Sequence, residues 1–150
     1  MAGPRPNAAV RPPAAGERSY AGGVSGDGDG GLRSVLRRLT RSQTQADAVE
    51  EQERSRRMGG TPCGELSGRQ RVRLAGTLRS VTLRPRGGTP ALEAELFDGT
   101  GSVVLIWLGR REIVGIDAGR TVRVEGLVSC TDGRKVMYNP TYELTAGTGA

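Results

Sequence analysis

The 150-residue chain has no histidine, one lysine and five aromatic residues. Without histidine it lacks the commonest general base and metal ligand, and it cannot form a Ser–His or Cys–His nucleophile pair. Its two cysteines, Cys63 and Cys130, cannot complete a four-ligand zinc site unless carboxylates help. We therefore expect a protein that is not an enzyme and holds no metal or cofactor.

Long apolar runs are also missing. No stretch approaches the roughly 18 apolar residues that a membrane span requires. Residues 1–10 lack the apolar core of a secretory signal, and nothing else marks the chain as secreted. These features predict a cytoplasmic protein with reduced thiols and no membrane partner.

The charge is basic but evenly spread. The chain has 22 basic and 16 acidic side chains, a net charge of +6. Residues 1–60 hold 10 basic and 7 acidic side chains, and residues 61–150 hold 12 and 9, so each part carries +3. A nucleic-acid function therefore depends on where the arginines lie rather than on how many there are.

Composition divides the chain into four parts. The first is rich in proline, glycine and alanine, shows no hydrophobic period, and is predicted to be disordered because it has too little apolar surface to bury. The second contains Leu32, Val35, Leu36 and Leu39 at helical spacing, followed by a polar stretch that is either a solvated helix or a fraying linker. The predicted parts are disordered residues 1–31, short helical segments and a linker over 32–60, a folded domain over 61–145, and a flexible tail over 146–150.

The third part alternates apolar and polar residues in the manner of strands. Gly76 interrupts the long first strand, which predicts a bend or bulge that lets one strand serve both sides of a closed sheet. A short helix or turn is expected between the third and fourth strands. This order predicts an all-β, five-stranded Greek-key barrel of the OB-fold type. The predicted strands are residues 71–84, 91–98, 102–108, 121–129 and 134–144.

Three segments carry a resemblance to a known family. They are LFDGTGSVVLIWL at 96–108, GIDAGRTVRVEG at 115–126 and MYNPTYEL at 137–144. Residues 69–144 resemble the anticodon-binding type of OB fold, which includes the OB domains of class II tRNA synthetases and the wedge domain of RecG. The chain is also similar to small stand-alone actinobacterial OB-fold proteins. The synthetase and helicase catalytic domains have no counterpart here, so their chemistry is not implied.

The resemblance implies that single-stranded DNA or RNA lies across strands two and three, between the loop joining strands one and two and the loop joining strands four and five. Arginines in these loops suit phosphates, and aromatic rings suit bases. The alternative function is a protein-interaction module that uses a helix within residues 32–57. The candidate nucleic-acid-binding residues are Arg79, Arg84, Arg86, Phe97, Trp107, Arg110, Arg111, Arg134, Lys135 and Tyr138.

Two features of this candidate site stay open at the level of sequence. A two-residue hairpin loop pairs Leu92 with Trp107 and points the indole inward, whereas a three-residue loop points it outward. Phe97 is expected to face outward. Glu93 and Glu95 share that parity, so they would repel phosphates unless an arginine pairs with them.

Overall fold

The computed structural model describes residues 29–146, and the predictions for residues 1–28 and 147–150 lie outside them. One helix precedes six strands, and a single 3₁₀ turn at Cys63–Glu65 joins the two parts. The elements are α1 (Asp29–Arg57), β1 (Arg69–Leu83), β2 (Ala91–Phe97), β3 (Ser102–Leu108), β4 (Thr121–Thr131), β5 (Arg134–Tyr138) and β6 (Thr141–Leu144).

The strands close into a barrel. Their order is β1-β2-β3-β5-β4, and β4 pairs back onto β1. The pair of β3 and β5 is parallel, whereas the other pairs among the described strands are antiparallel. This topology is that of the OB fold, so the prediction of an all-β Greek-key barrel is confirmed. The connection between β3 and β4 consists of turns.

The length of β1 lets it serve both sides of the barrel. Its first part pairs with β4 and its second part with β2. The two parts meet at Thr77, and at the preceding Gly76 an added Cβ would lie 2.3 Å from the carbonyl oxygen of Phe97. The register with β2 then shifts between Leu78 and Ser80, which leaves Arg79 as the bulged residue. The sequence predicts a bend or bulge at Gly76; in the structure the close approach at Gly76 and a bulge three residues later together turn the strand around the barrel corner.

The predicted fifth strand is two strands. Asn139 has a φ of 47°, and Pro140, which follows it, has no backbone N–H to donate. The chain therefore turns between β5 and β6, and β5 pairs with β3 and β4 while β6 pairs with β4. The Asn139 side chain accepts a hydrogen bond from the backbone N–H of Leu108 at 2.9 Å, which holds this turn against the end of β3.

The core fills the barrel interior with aliphatic side chains, since one tryptophan is its only aromatic member among the described residues. Inward residues alternate along each strand, and Leu92, Ala94 and Leu96 of β2 are all buried, as the alternation predicts. The fully buried side chains of largest volume are Leu74, Leu78, Leu96, Leu105, Ile106 and Met137.

The N-terminal region holds one continuous helix of 29 residues where the sequence predicts two short segments. Hydroxyl side chains in the middle bond back to the preceding turn, as Thr40 does to the Leu36 carbonyl at 2.7 Å. The last third of the helix packs on the barrel, where Glu51 accepts a hydrogen bond from Thr77 at 2.9 Å and Ser55 is buried. Tertiary contacts therefore stabilise a polar segment whose own helical tendency is ambiguous.

Candidate nucleic-acid interface

The outward side chains of β2, β3 and β5 form one continuous surface, which we call the outer face. The strand registers place Glu93, Ile106 and Tyr138 in one row across the three strands. The β1–β2 loop (residues 84–90) flanks this surface at one side, and the β4–β5 turn flanks it at the other. The outer face comprises Glu93, Glu95, Phe97, Val104, Ile106, Val136 and Tyr138.

Arg86 is fixed by the local structure of the β1–β2 loop. Its backbone N–H donates to the Thr89 carbonyl at 2.8 Å, and the Thr89 N–H donates back at 3.0 Å. Gly87 and Gly88, between them, both have positive φ, which is the backbone of a two-residue hairpin turn. The sequence RGGT therefore builds a small hairpin that directs the Arg86 side chain over β2.

Two arginines converge on one carboxylate at the centre of the outer face. Arg86 donates to Glu93 at 2.8 Å, and Arg134, at the start of β5, lies 4.0 Å from the other carboxylate oxygen. The Glu93 side chain is 14% exposed, although it is charged. Its hydrogen bond raises the pKa of Arg86, so that guanidinium stays protonated. The Glu93 carboxylate thus links the β1–β2 loop, through Arg86, to the start of β5, through Arg134.

Beneath this ion pair lies a buried apolar residue. Ile106 points to the outer side of β3, yet it is 0% exposed. Tyr138, its neighbour on β5, is 49% exposed and offers a ring to solvent. A shallow groove beside it is lined by Val136 and Arg134, and also by Asp132 of the β4–β5 turn.

Phe97 faces outward at the far end of β2, as predicted, and one side of its ring is covered. The guanidinium carbon of Arg79 lies 3.3 Å from the ring centroid. This is a cation–π contact, and it is made by the bulged residue of β1. The guanidinium plane can in turn stack on a base, so Arg79 and Phe97 form a combined platform.

Trp107 belongs to the core. The register pairs it with Leu92, it is 5% exposed, and its Nε1–H donates to the Pro140 carbonyl at 3.0 Å. Tyr142 packs edge-on against it, with ring centroids 6.0 Å apart. This arrangement decides between the two hairpin registers, and it corrects the expectation that the indole is a stacking surface.

The remaining predicted cations lie in different places. Arg84 is exposed at the start of the β1–β2 loop. Arg110 and Arg111 are exposed just after β3, and the Gly109 N–H donates to the Pro90 carbonyl at 2.7 Å, so this segment adjoins the β1–β2 loop. The Lys135 side chain points to the opposite side of β5 from that of Arg134, and its ammonium donates a hydrogen bond to the Cys63 carbonyl.

Asp98 is the buried polar centre that sequence reasoning missed. It is 1% exposed and accepts hydrogen bonds from the Thr100 and Gly101 N–H groups, the Thr100 hydroxyl and the Cys63 N–H at 2.7–3.1 Å. The Asp-Gly-Thr-Gly pattern could have indicated the local bonds, since aspartate commonly caps such turns. The bond to Cys63 is set by the tertiary structure. It joins the 3₁₀ turn to the β2–β3 hairpin.

Both cysteines are free thiols, Cys63 buried and Cys130 partly buried. Burial, and then the neighbouring Asp98 carboxylate, raise the pKa of Cys63, so its thiol stays protonated. In the described part of the chain no three Cys, Asp or Glu side chains lie together as a metal site. The helix described here is too polar to be a candidate membrane span.

Comparison with known proteins gives similarity in structure only. No family model matches the chain, and no curated protein matches it. Its structure is similar to a chain of a replication protein A heterotrimer bound to single-stranded DNA, with a TM-score of 0.40 and 17% identity over 51% of this chain and 57% of that one. It is also similar to RecG bound to a three-way DNA junction, with a TM-score of 0.45 and 23% identity over 55% of this chain and 12% of that one.

Proposed function

We propose that this protein binds single-stranded nucleic acid, without catalysis, across the outer face. The observation that carries the proposal is the convergence of Arg86 and Arg134 over β2 and β3. Arg86 comes from the β1–β2 loop and Arg134 from the start of β5, just after the β4–β5 turn, and both reach the same anionic position, which Glu93 occupies. Two guanidinium groups about a central acceptor are suited to a phosphate, because arginine binds phosphate oxygens in the same geometry as a carboxylate.

The stacking surfaces that we propose are the Arg79–Phe97 platform and Tyr138. Phe97, which Arg79 covers, lies at the far end of β2. Tyr138 is exposed in the row that also contains Glu93 and Ile106. A single nucleic-acid strand bound along the outer face would stack its bases on these groups and turn its phosphate backbone toward the loop arginines. Arg84, Arg110 and Arg111 extend the cationic rim, whereas Trp107 has no exposed ring face and is left out.

The affinity should be modest. Three carboxylates lie on or beside the outer face, and each repels a phosphate. They belong to Glu93, Glu95 and Asp132. Arg86 and Arg134 must also give up their contacts with the Glu93 carboxylate before they can bind a phosphate of the ligand. We assign this activity to an OB domain over residues 61–145 in the cytoplasm, with 32–60 as an appended helical element.

The test is fluorescence anisotropy of labelled oligothymidine and oligouridine, each of about 15 nucleotides, beside a duplex of equal length. We expect both single strands to bind at low salt and the duplex to bind more weakly; the ratio of the first two gives the DNA or RNA preference. Arg84→Gln should weaken binding several-fold. Arg69→Gln is the matched control, since Arg69 is also exposed but lies where β1 pairs with β4. Absence of binding by the unaltered chain at low salt rules the proposal out.

The second candidate function is protein interaction through the helix within residues 32–57. The observation that favours it is the exposure of Leu32, Val35, Leu36 and Leu39, which are 51–67% accessible. Such a cluster of exposed leucine and valine side chains is uncommon on a surface without a partner. Leu39→Glu separates the two functions, because it should abolish a helix-mediated contact and leave oligonucleotide binding intact.

A further inference from the structure

The exposed side of α1 carries an uncharged seam that the barrel does not use. Positions spaced alternately three and four residues apart are all exposed and hold no charged side chain. This spacing repeats every seven residues, which is the pattern of a helix that packs along another helix. The seam consists of Leu32, Val35, Leu39, Ser42, Ala46 and Val49.

The seam points away from the barrel. Ala48 and Gln52 lie against Gly99 of the β2–β3 hairpin, and Glu51 bonds to Thr77. At about 100° per residue, these contacts lie on the side of the helix roughly opposite to the seam. Val49 is accordingly 57% exposed even though its neighbours touch the barrel. A second helix can therefore lie along the whole seam without meeting the barrel wall.

Charge along α1 changes sign along the helix, and the last turn is basic again with Arg54, Arg56 and Arg57. Residues 31–46 contain Arg33, Arg37, Arg38 and Arg41 and no acidic residue. Residues 47–53 contain Asp47, Glu50, Glu51 and Glu53 and no basic residue. Glu50 and Glu51 form ion pairs with Arg54, and Glu53 forms one with Arg57, so these glutamates are paired within the same helix. At about 100° per residue, Arg33, Arg37 and Arg41 lie on the barrel side of the helix, and only Arg38 and Glu50 border the seam. A partner helix therefore meets a surface that is nearly free of charge, and the shapes of the side chains decide which helix fits it.

The side-chain sizes along the seam indicate an antiparallel partner of the same sequence. Its first half is large (Leu32, Val35, Leu39), and its second half becomes small at Ser42 and Ala46. In an antiparallel pair, Leu32 meets Val49 of the partner subunit, Val35 meets Ala46 of the partner subunit, and Leu39 meets Ser42 of the partner subunit. Large residues then face smaller ones in each layer, which lets two helices approach closely.

We propose that the partner of this seam is a second copy of the chain, which forms an antiparallel, two-fold symmetric helix pair. The same surface serves on both copies, as closed dimers require. The barrels then lie toward opposite ends, on the outer sides of the pair. The seam spans 18 residues, about 27 Å, so the interface is smaller than a standard one and the dimer should dissociate in the micromolar range.

The test of association is sedimentation velocity on the full chain from about 1 to about 200 µM, which brackets a micromolar dissociation constant. We expect a monomer–dimer equilibrium that Leu39→Glu abolishes. Val114→Glu is the matched control, since Val114 is 87% exposed in the β3–β4 connection, away from the helix, and should leave the dimer unchanged. Circular dichroism of each variant confirms that the helix and barrel are retained. Nucleic acid is not needed, so this result is independent of the proposed function.

The direction of the pair is tested by cross-linking in a Cys130→Ser background, where the remaining thiol of Cys63 is buried. Mixing V35C with A46C under mild oxidation should give a disulfide between the two variants. V35C alone should stay largely uncrosslinked, because an antiparallel pair keeps the two copies of position 35 apart. A dimer that V35C alone cross-links efficiently overturns the antiparallel arrangement.

Two outcomes overturn the proposal as a whole. One is a chain that stays monomeric throughout the concentration range. The other is a dimer that persists in Leu39→Glu. A monomer that instead sediments with phosphatidylglycerol vesicles, and loses this with Leu39→Glu, assigns the seam to an anionic lipid surface.

Discussion

Glu93 shows how one carboxylate can both order and restrain a binding surface. It draws Arg86 of the β1–β2 loop and Arg134 at the start of β5 toward one position, and its hydrogen bond holds Arg86 there before any ligand arrives. It also occupies the position between them that a phosphate would take. Under the proposed function the ligand must displace an anion, and the carboxylate lowers the affinity that the arginines could otherwise supply.

Replacing Glu93 by glutamine should therefore strengthen binding. Glu93→Gln keeps the shape and a hydrogen-bond acceptor for Arg86 while it removes the competing charge. We expect oligothymidine to bind roughly three- to tenfold more tightly in low salt. The guanidinium groups of Arg86 and Arg134 become free to bind phosphate, and this gain outweighs the weaker positioning of the two side chains. Glu95→Gln is the control, since Glu95 lies on the same face and has no arginine partner among the described residues. Equal gains in the two variants would mean that Glu93 acts only through overall charge.

At the scale of elements, the contact between α1 and the β2–β3 hairpin depends on one glycine. Gly99 has a φ of 88°, and an added Cβ would lie 2.0 Å from the Ala48 carbonyl oxygen of the helix. Asp98 fixes the hairpin from the other side by its bonds to the turn and to Cys63. The hairpin cannot yield easily, so the helix must move if a side chain is added.

Gly99→Ala should detach the last third of α1 from the barrel. We expect faster amide exchange over residues 48–57, measured by hydrogen–deuterium exchange, with the barrel strands still protected. Gly87→Ala is the matched control: Gly87 also has a positive φ, of 55°, but no atom lies within 4 Å of its added Cβ. It therefore carries the backbone strain of about 1 kcal/mol without the clash. Unchanged exchange in α1 of Gly99→Ala would contradict the described docking.

The sequence was most informative where local rules act. Alternation of apolar residues predicted the strands and the inward side of β2, and the mid-strand glycine of β1 predicted the corner. It could not show that the segment after residue 42 is helical, because that segment is stabilised by contacts of Glu51 and Ser55 with distant residues. Nor could it separate the two positions of Trp107, since one residue of register reverses them.

The candidate site was predicted in part for the same reason. Loop positions indicated Arg84, Arg86 and Arg134, and parity indicated that Glu93 faces outward. The pairing of Glu93 with Arg86 and Arg134 joins three different elements, so no local pattern encodes it. The engagement of Lys135 with the Cys63 carbonyl is likewise a tertiary contact, and it places that cation away from the outer face.

At the scale of the whole molecule, the net charge of +6 overstates the charge that a ligand meets. Many arginines are already paired: Arg71 and Arg73 with Glu125, Arg123 with Glu143, and Arg86 and Arg134 with Glu93. The pairing with Arg73 and Arg71 lowers the pKa of Glu125, so that carboxylate stays ionised near neutral pH. Arginines near the outer face without such a pair among the described residues are Arg79, Arg84, Arg110 and Arg111.

This pairing sets the expected dependence of binding on salt. With about four phosphates contacted, and roughly 0.7 counterions released per contact for a single strand, the plot of log affinity against log salt should have a slope of about −3. Releasing Arg86 and Arg134 in Glu93→Gln should steepen it to about −4, whereas Glu95→Gln should leave it unchanged. The measurement is the anisotropy titration repeated at several potassium chloride concentrations. A slope near −1 would show that stacking rather than the loop arginines supplies the affinity. In that case Arg79, Phe97 and Tyr138, not the two loops, would be the part of the outer face that holds the strand.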